Sequence, residues 1–285
     1  MPPQAASAAT EEAAAEGESH DPLEMESAVT TAAPGEMLSA FASRTLVIIP
    51  AFNEEECVGD VVRRLRERGF RHLRVVDNAS TDRTAETARA AGAKEIRTEE
   101  RGYGLACWEG SQHLTEGIEW LLYCNADASD DFEAYGTFAR LAADNDLLLG
   151  CRTHPEDQAH MTPPQRFGNW LAPALIRLLW GRRFADLGPQ RALRADAFRR
   201  LNLQDRGFGW TVEMQVRAVE EGLRIAEIPV RTFPRPAGKQ KISGTLRGSL
   251  AAGCVILQTI AHLAARGAWR TGRPTCRAAR PAPCP

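Results

Sequence analysis

Apolar residues recur along the chain in two rhythms, short unbroken runs and runs spaced by three and four. Thr45-Leu-Val-Ile-Ile49, Leu73–Val76, Trp120–Cys124 and Asp146–Cys151 read as buried strands, with a shorter strand at Lys94–Thr98. Between them lie helical segments. Asn53 is a good N-cap for a helix whose apolar face is Val58, Val61, Val62 and Leu65 and whose end is Gly69. Further helices are expected over Asp82–Ala91, stopped by Gly92, and over Leu105–Thr115. This alternation predicts an α/β fold: an open, mostly parallel sheet with right-handed crossovers and helices on both faces. The second half is less regular. Thr153–Pro164 is a long polar loop, Arg166–Trp180 a helix interrupted by Pro173, Trp210–Glu221 a helix and Arg224–Val230 a strand. The last apolar helix, Leu246–Ala265, is interrupted by Ser249, Gln258, Thr259 and His262, which suits an interfacial or core-packed helix better than a bilayer span.

Composition adds the ends. The 285 residues are 44% hydrophobic and 25% charged, as in an ordinary globular protein, but the net charge of −2 is unevenly spread. Residues 1–43 are rich in Ala and Glu and carry no Lys or Arg, so they are expected to be a disordered acidic tail, and removing Met1–Ala42 is expected to leave folding unchanged. Residues 266–285 form a basic Pro/Arg tail after a 44–245 domain and the apolar 246–265 helix, which of its two readings is expected to take the one at a membrane interface. The seven cysteines show no C-x-x-C pair or metal spacing, which points to free thiols in a reducing compartment. Met1–His20 has neither a basic start nor an apolar core, so no signal peptide is expected.

Candidate chemistry gathers where strands end. The first strand runs into Pro50-Ala51-Phe52-Asn53-Glu54 instead of the G-x-G-x-x-G that lets backbone approach a pyrophosphate, which argues against a dinucleotide fold. The second strand ends in Asp77, which could hold a ribose. The fourth ends in Asn125-Ala-Asp127, then Asp130-Asp131. Oxygens at a strand's carboxyl end suit a hard divalent cation beside substrate phosphates, and the same residues suit a turn that caps the next helix. His154 and His160 read as exposed.

Six stretches in order resemble family 2 glycosyltransferases of the GT-A fold, and within them the polyprenyl (dolichyl) phosphate sugar transferases. They are Val47–Glu55, Val75–Asp82, Arg101-Gly-Tyr-Gly104, Asn125–Asp127, Gly207–Met214 and Gly238–Thr245. The resemblance implies an inverting enzyme that moves a hexose from a nucleotide diphosphate sugar (UDP- or GDP-hexose) to a polyprenyl phosphate. It implies Mg2+ or Mn2+ at Asn125 and Asp127. Pro50, Phe52, Glu54 and Asp77 would line the nucleoside pocket, and Gly102 and Gly104 the turn beside it. Arg152, Arg166, Arg191, Arg235 and Lys241 would surround phosphates. Asp127, Asp186, Arg152 and Arg191 would carry the chemistry, with Glu213 near the substrate. Asn125 departs from the family's D-x-D: a neutral amide should weaken the cation, and Asn125→Asp should restore the pattern. Gln240 replaces the usual serine. A hydroxyl acceptor and a catalytically inactive nucleotide-sugar binder are the alternatives. The basic loop beside the last helix places the protein at the cytoplasmic face of a membrane as a peripheral enzyme, with no nucleic-acid partner.

Overall fold

The computed structural model describes residues 33–154, 156, 163–237 and 246–270, and for 163–167, 246–252 and 267–270 it describes the backbone alone. The described elements belong to one compact unit that begins at Pro34. Strands β1 (Thr45–Ala51), β2 (His72–Asn78), β3 (Lys94–Thr98), β4 (Trp120–Tyr123), β5 (Leu147–Cys151), β6 (Arg191–Arg194) and β7 (Ile225–Pro229) form a seven-stranded sheet. Its order is β3-β2-β1-β4-β6-β5-β7. Every pair is parallel except those of β6, which runs antiparallel to both β4 and β5. The expected open, mostly parallel α/β architecture is thus present. Sequence periodicity missed β6, because only four residues are strand and Arg191 interrupts the apolar run.

The helices are α1 (Pro34–Ser43), α2 (Val58–Glu67), α3 (Thr84–Ala90), α4 (Tyr103–Gly110), α5 (Tyr135–Leu141), α6 (Pro163–Trp180), α7 (Ala195–Leu201), α8 (Trp210–Glu220) and α9 (Leu246–Arg270). Strand β1 shows how they are sorted. Val47, Ile49 and Ala51 pack into one core with α1, α2 and α5, while Leu46 and Ile48 pack into a second core with α4, α6, α8 and α9. Successive side chains leave a strand on opposite faces, so one apolar run serves both layers.

Three expectations change. Residues 34–43 do not belong to a disordered tail: they form α1, whose Phe41 and Ala42 are buried against β1 and Phe70. Their low charge and alanine content hid one large apolar anchor. Residues 1–32 lie outside the described residues. Helix α2 starts at Val58 and not at Asn53. Asn53 is left-handed (φ 53°), and its side-chain oxygen accepts from the Thr81 amide at 2.8 Å, so it ties two turns together and caps no helix. Finally, α9 is core-packed. Ile256, Ile260 and Leu263, at helical spacing, face the second core. Among the described residues no helix is long and apolar enough to cross a membrane.

Candidate functional site

The sheet order reverses between β1 and β4: β2 and β3 lie to one side of β1, and β4 to the other. In open α/β sheets the ligand crevice lies outside the carboxyl ends of the strands at such a reversal. The turns that leave β1, β2 and β4 each hold one non-glycine residue in the left-handed region: Asn53 (φ 53°), Ala79 (φ 58°) and Ala128 (φ 59°). Each costs on the order of 1 kcal/mol relative to the right-handed form, and such strain gathers where function requires an unusual path.

On the β1–β2 side, Phe52 is half-buried and the Arg101 guanidinium lies 3.9 Å above its ring. Asp77 is fully buried. It accepts from the Ser80 amide at 3.0 Å and from Arg97 at 3.1 Å. Pro50 is the half-buried residue before the end of β1. Asn78 accepts from the Gly102 amide at 3.0 Å, joining this wall to the start of α4. Arg97 and Arg101 escaped the sequence reading. The signal for Arg101 was its place immediately before Gly102.

The glycines have a packing role. A Cβ on Gly102 would stand 2.5 Å from the Arg206 carbonyl oxygen, and one on Gly104 would stand 2.7 Å from Arg206 and Asp205 backbone atoms. The Gly104 amide donates to Gly207 at 3.0 Å and the Leu105 amide to Arg206 at 2.8 Å. The glycines therefore let the 205–207 loop lie directly on the N-terminus of α4. Glu213 holds the same loop from behind. It is buried and accepts from the Gln204 amide at 2.9 Å and the Asp205 amide at 2.7 Å.

Beyond β4, Asp130 organises the turn. Its buried carboxylate accepts from the Asn125 amide at 2.7 Å and from Asn125 Nδ2 at 2.8 Å. Burial pushes the Asp130 carboxyl up to about 6, against the lowering effect of the Asn125 amide bond. A carboxylate only accepts, so this contact turns the Asn125 nitrogen toward Asp130 and its oxygen away. Asp127 accepts from the Ser129 hydroxyl at 2.6 Å through one oxygen and from Arg235 at 3.0 Å through the other. The same Arg235 nitrogen donates to Glu54 at 2.9 Å. Asp131 accepts from the Glu133 amide at 3.1 Å and from the Ala134 amide at 3.3 Å, which closes the turn before α5.

Hard oxygens from one carboxylate and one amide fit the modest protein ligand set that magnesium takes when substrate phosphates complete its shell. Asn125 and Asp127 would be the residues holding it. Among the described residues no group of three or more His, Cys, Asp or Glu could do so without substrate. The buried partner reverses the expectation for Asn125→Asp. It would set two carboxylates about 3 Å apart, which cannot both ionise, and would remove a donor to Asp130. The expected result is a loss of about 1.5–3 kcal/mol in urea unfolding at neutral pH, with no gain in cation affinity. Unchanged stability would show that Asp130 does not depend on the amide.

Arg152 and Asp186 are brought together as a two-pronged pair, Nε to Oδ2 at 2.7 Å and Nη2 to Oδ1 at 2.9 Å. Burial opposes the Arg152 charge, but the Asp186 contacts outweigh it and hold the guanidinium above its usual pKa. Arg191 does not line the crevice. It is 1% exposed within β6, donates to the Thr211 carbonyl at 3.0 Å and to the Gly188 carbonyl, and burial lowers its pKa. It ties the 186–190 loop to α8. The phosphate role that the resemblance implies for Arg191 does not fit its place on the interior strand β6, which periodicity did not reveal. The side chain of Arg166, and all of Lys241, lie outside the described residues.

Comparison with known proteins bears on the family and the fold. An uncharacterized glycosyltransferase of Mycobacterium tuberculosis is 35% identical over 210 residues, which span 72% of this chain and 93% of that one. The undecaprenyl-phosphate mannosyltransferase of Micrococcus luteus is 31% identical over 218 residues, 72% of this chain and 90% of that one. Among solved structures, glucosyl-3-phosphoglycerate synthase from Mycobacterium tuberculosis, in complex with Mn2+, UDP-glucose and phosphoglyceric acid, superposes with a TM-score of 0.60. At 19% identity, covering 82% of this chain and 84% of that one, it speaks to the fold alone. The model of glycosyl transferase family 2 matches residues 46–201, more than half of the chain, and by that match and these relatives the chain belongs to glycosyl transferase family 2 and is a glycosyltransferase.

Proposed function

We propose that the enzyme transfers a hexose from a nucleotide diphosphate sugar to a polyprenyl phosphate at a membrane surface, with inversion. The observation that carries the acceptor half is a cleft of about 640 Å³ along α6. Trp170, Ala174, Arg177 and Leu178 line it, at the i, i+4, i+7, i+8 spacing of one helix face. Trp170 is 65% exposed and Leu178 78%, although large apolar side chains on a helix normally face the core. Arg177 and Arg183 line the same cleft, and so does Asn169, which donates to Asp186 at 3.4 Å. An apolar surface edged with arginines, and joined through Asn169 to Asp186, suits an isoprenoid chain with an anionic head. The membrane face assigned from sequence to the last helix therefore moves to α6.

On the donor side, Phe52, Asp77, Arg97 and Arg101 would hold the nucleoside. Asn125, Asp127 and Arg235 would face the diphosphate. A divalent cation bound there supplies charge stabilisation for the departing nucleoside diphosphate. Arg152 would orient the acceptor phosphate. A phosphate monoester has a second pKa near 6, so one of its oxygens is already a nucleophilic anion at neutral pH and needs no general base. That oxygen bonds to the anomeric carbon from the face opposite the leaving group, and the carbon–diphosphate bond breaks with its electron pair going to the nucleotide. Asp186 keeps Arg152 oriented throughout.

The test is nucleoside diphosphate release from UDP- and GDP-hexoses, with and without polyprenyl phosphate. Release that depends on the phosphorylated lipid is expected. Equal release with an unphosphorylated polyprenol would move the acceptor to a hydroxyl, and binding of donor without release would make the chain a binder. In parallel, Trp170→Ser with Leu178→Ser should lower co-sedimentation with anionic vesicles about tenfold, in line with the loss of two exposed apolar side chains at roughly 1.5 kcal/mol or more each, reduced by partial insertion. Unchanged sedimentation would remove α6 from the membrane surface.

A further inference from the structure

The segment after β7 runs back across the turn that follows β4. The Arg231 amide donates to the Asp131 carboxylate at 3.1 Å, the Phe233 amide to the Ser129 carbonyl at 2.9 Å, and the Arg235 side chain to the Asp127 carboxylate at 3.0 Å. Every second residue of the strap meets every second residue of the turn, in antiparallel sense, with the two-residue period of an extended chain. That register places a guanidinium over Asp127. Pro234 and Pro236 flank Arg235 and fix their own backbone angles, so the presentation is stiff. The Cys57 thiol donates to the Ala237 carbonyl at 3.5 Å, which fastens the far end of the strap beside α2.

The consequence lies in what Arg235 touches. One nitrogen, Nη2, is shared between Glu54 at 2.9 Å and Asp127 at 3.0 Å, and both carboxylates are largely shielded, with side chains 10% and 22% exposed. Asp127 is the residue read above as the cation ligand. With Ser129 on one of its oxygens and Arg235 on the other, both of its oxygens are engaged before any ligand arrives. That guanidinium offsets the mutual repulsion of the Glu54 and Asp127 carboxylates.

We propose that Arg235 is the resident counter-ion of the donor site before the donor binds: it stands on the Asp127 oxygen that a divalent cation would take, and it yields that place when cation and nucleotide diphosphate bind together. This rests on the reading of Asp127 as a cation ligand. The diphosphate gives the displaced guanidinium a new anionic partner, so cation and nucleotide help each other to bind. The coupling is reciprocal, as any linkage of two ligands must be. A cation alone must instead displace a paired arginine without bringing it an anionic partner, and it binds poorly.

The experiment measures Mn2+ binding from the free-ion electron paramagnetic resonance signal, without turnover. The protein is titrated with Mn2+ alone and with UDP or GDP present. In Arg235→Gln, Mn2+ alone is expected to bind at least about tenfold more tightly than in the parent, the scale of one charge-assisted hydrogen bond removed from the competition. The extra tightening conferred by nucleotide should shrink correspondingly. Arg235→Lys, which keeps the charge, should stay near the parent. Pro236→Gly, which loosens the strap and leaves every side chain of the site in place, should shift Mn2+ affinity in the same direction by less, and it serves if Arg235→Gln does not fold. Equal or weaker Mn2+ binding in both loosened variants, with nucleotide-dependent binding intact, overturns the counter-ion role alone. Absence of Mn2+ binding in every variant, even with nucleotide, overturns the role of Asp127 as cation ligand and the proposal with it.

Discussion

Asp127→Ala is expected to lower turnover by about a hundred- to a thousand-fold while leaving the thermal midpoint within a few degrees of the parent. The size follows from the task. Cleaving the sugar–diphosphate bond builds charge on the leaving group, and losing one fixed electrostatic stabiliser of a developing anion commonly costs about two to three powers of ten. Asp127 would anchor that stabilisation, because the Asn125 oxygen is neutral and a single amide holds a divalent ion poorly against water. The fold should survive. The Asp127 side chain is 22% exposed and fills no core, and Arg235 keeps its contact with Glu54 at 2.9 Å. The measurement is initial rate at saturating Mn2+ and Mg2+, paired with a melting curve. Activity near that of the parent with an intact fold would place the cation elsewhere.

Phe41→Ala is expected to destabilise the protein by about 3–5 kcal/mol, the range for emptying an aromatic core position. Phe41 is 4% exposed, and its ring centroid lies 6.3 Å from that of Phe70, edge to face, and 5.6 Å from that of Trp120. Trp120 opens β4, the strand that delivers Asn125 and Asp127, so the cavity would sit beneath the site-bearing strand. Helix α1 also supplies the Phe41 carbonyl that accepts from the Thr45 hydroxyl at 2.6 Å at the start of β1. Truncation to Ala42, harmless if those residues were a loose tail, is instead expected to be at least as damaging as the point substitution. Urea unfolding of both variants checks this. A loss below about 1 kcal/mol would mean that α1 does not contribute to the core.

Much of the architecture was written in local pattern. Val47, Ile49 and their neighbours form an unbroken apolar run, because a strand covered on both faces has no polar side, and such runs alternating with 3.6-residue periodicity specify a parallel α/β sheet with little ambiguity. The acidic strand end at Asn125–Asp127 stood out because polar residues abruptly stop a buried strand there, although the same residues also suit a turn. Local pattern failed where a residue's meaning depends on a distant partner. Arg191 looks like any surface arginine until β6 inserts it between β4 and β5, and Phe41 looks isolated until Phe70 and Trp120 close around it. Gly102 and Gly104 suggested a ligand turn, yet the 205–207 backbone, a hundred residues away in sequence, is what requires them. Asn125 read as a weakened aspartate until Asp130 turned out to orient its amide, and Arg235 read as a phosphate contact until the strap laid it on Asp127 and Glu54. Hydrophobic periodicity records only whether a position is buried. Which charges meet, and whether a carboxylate is already paired, follows from the crossing of segments far apart in the chain, and only the tertiary structure decides it.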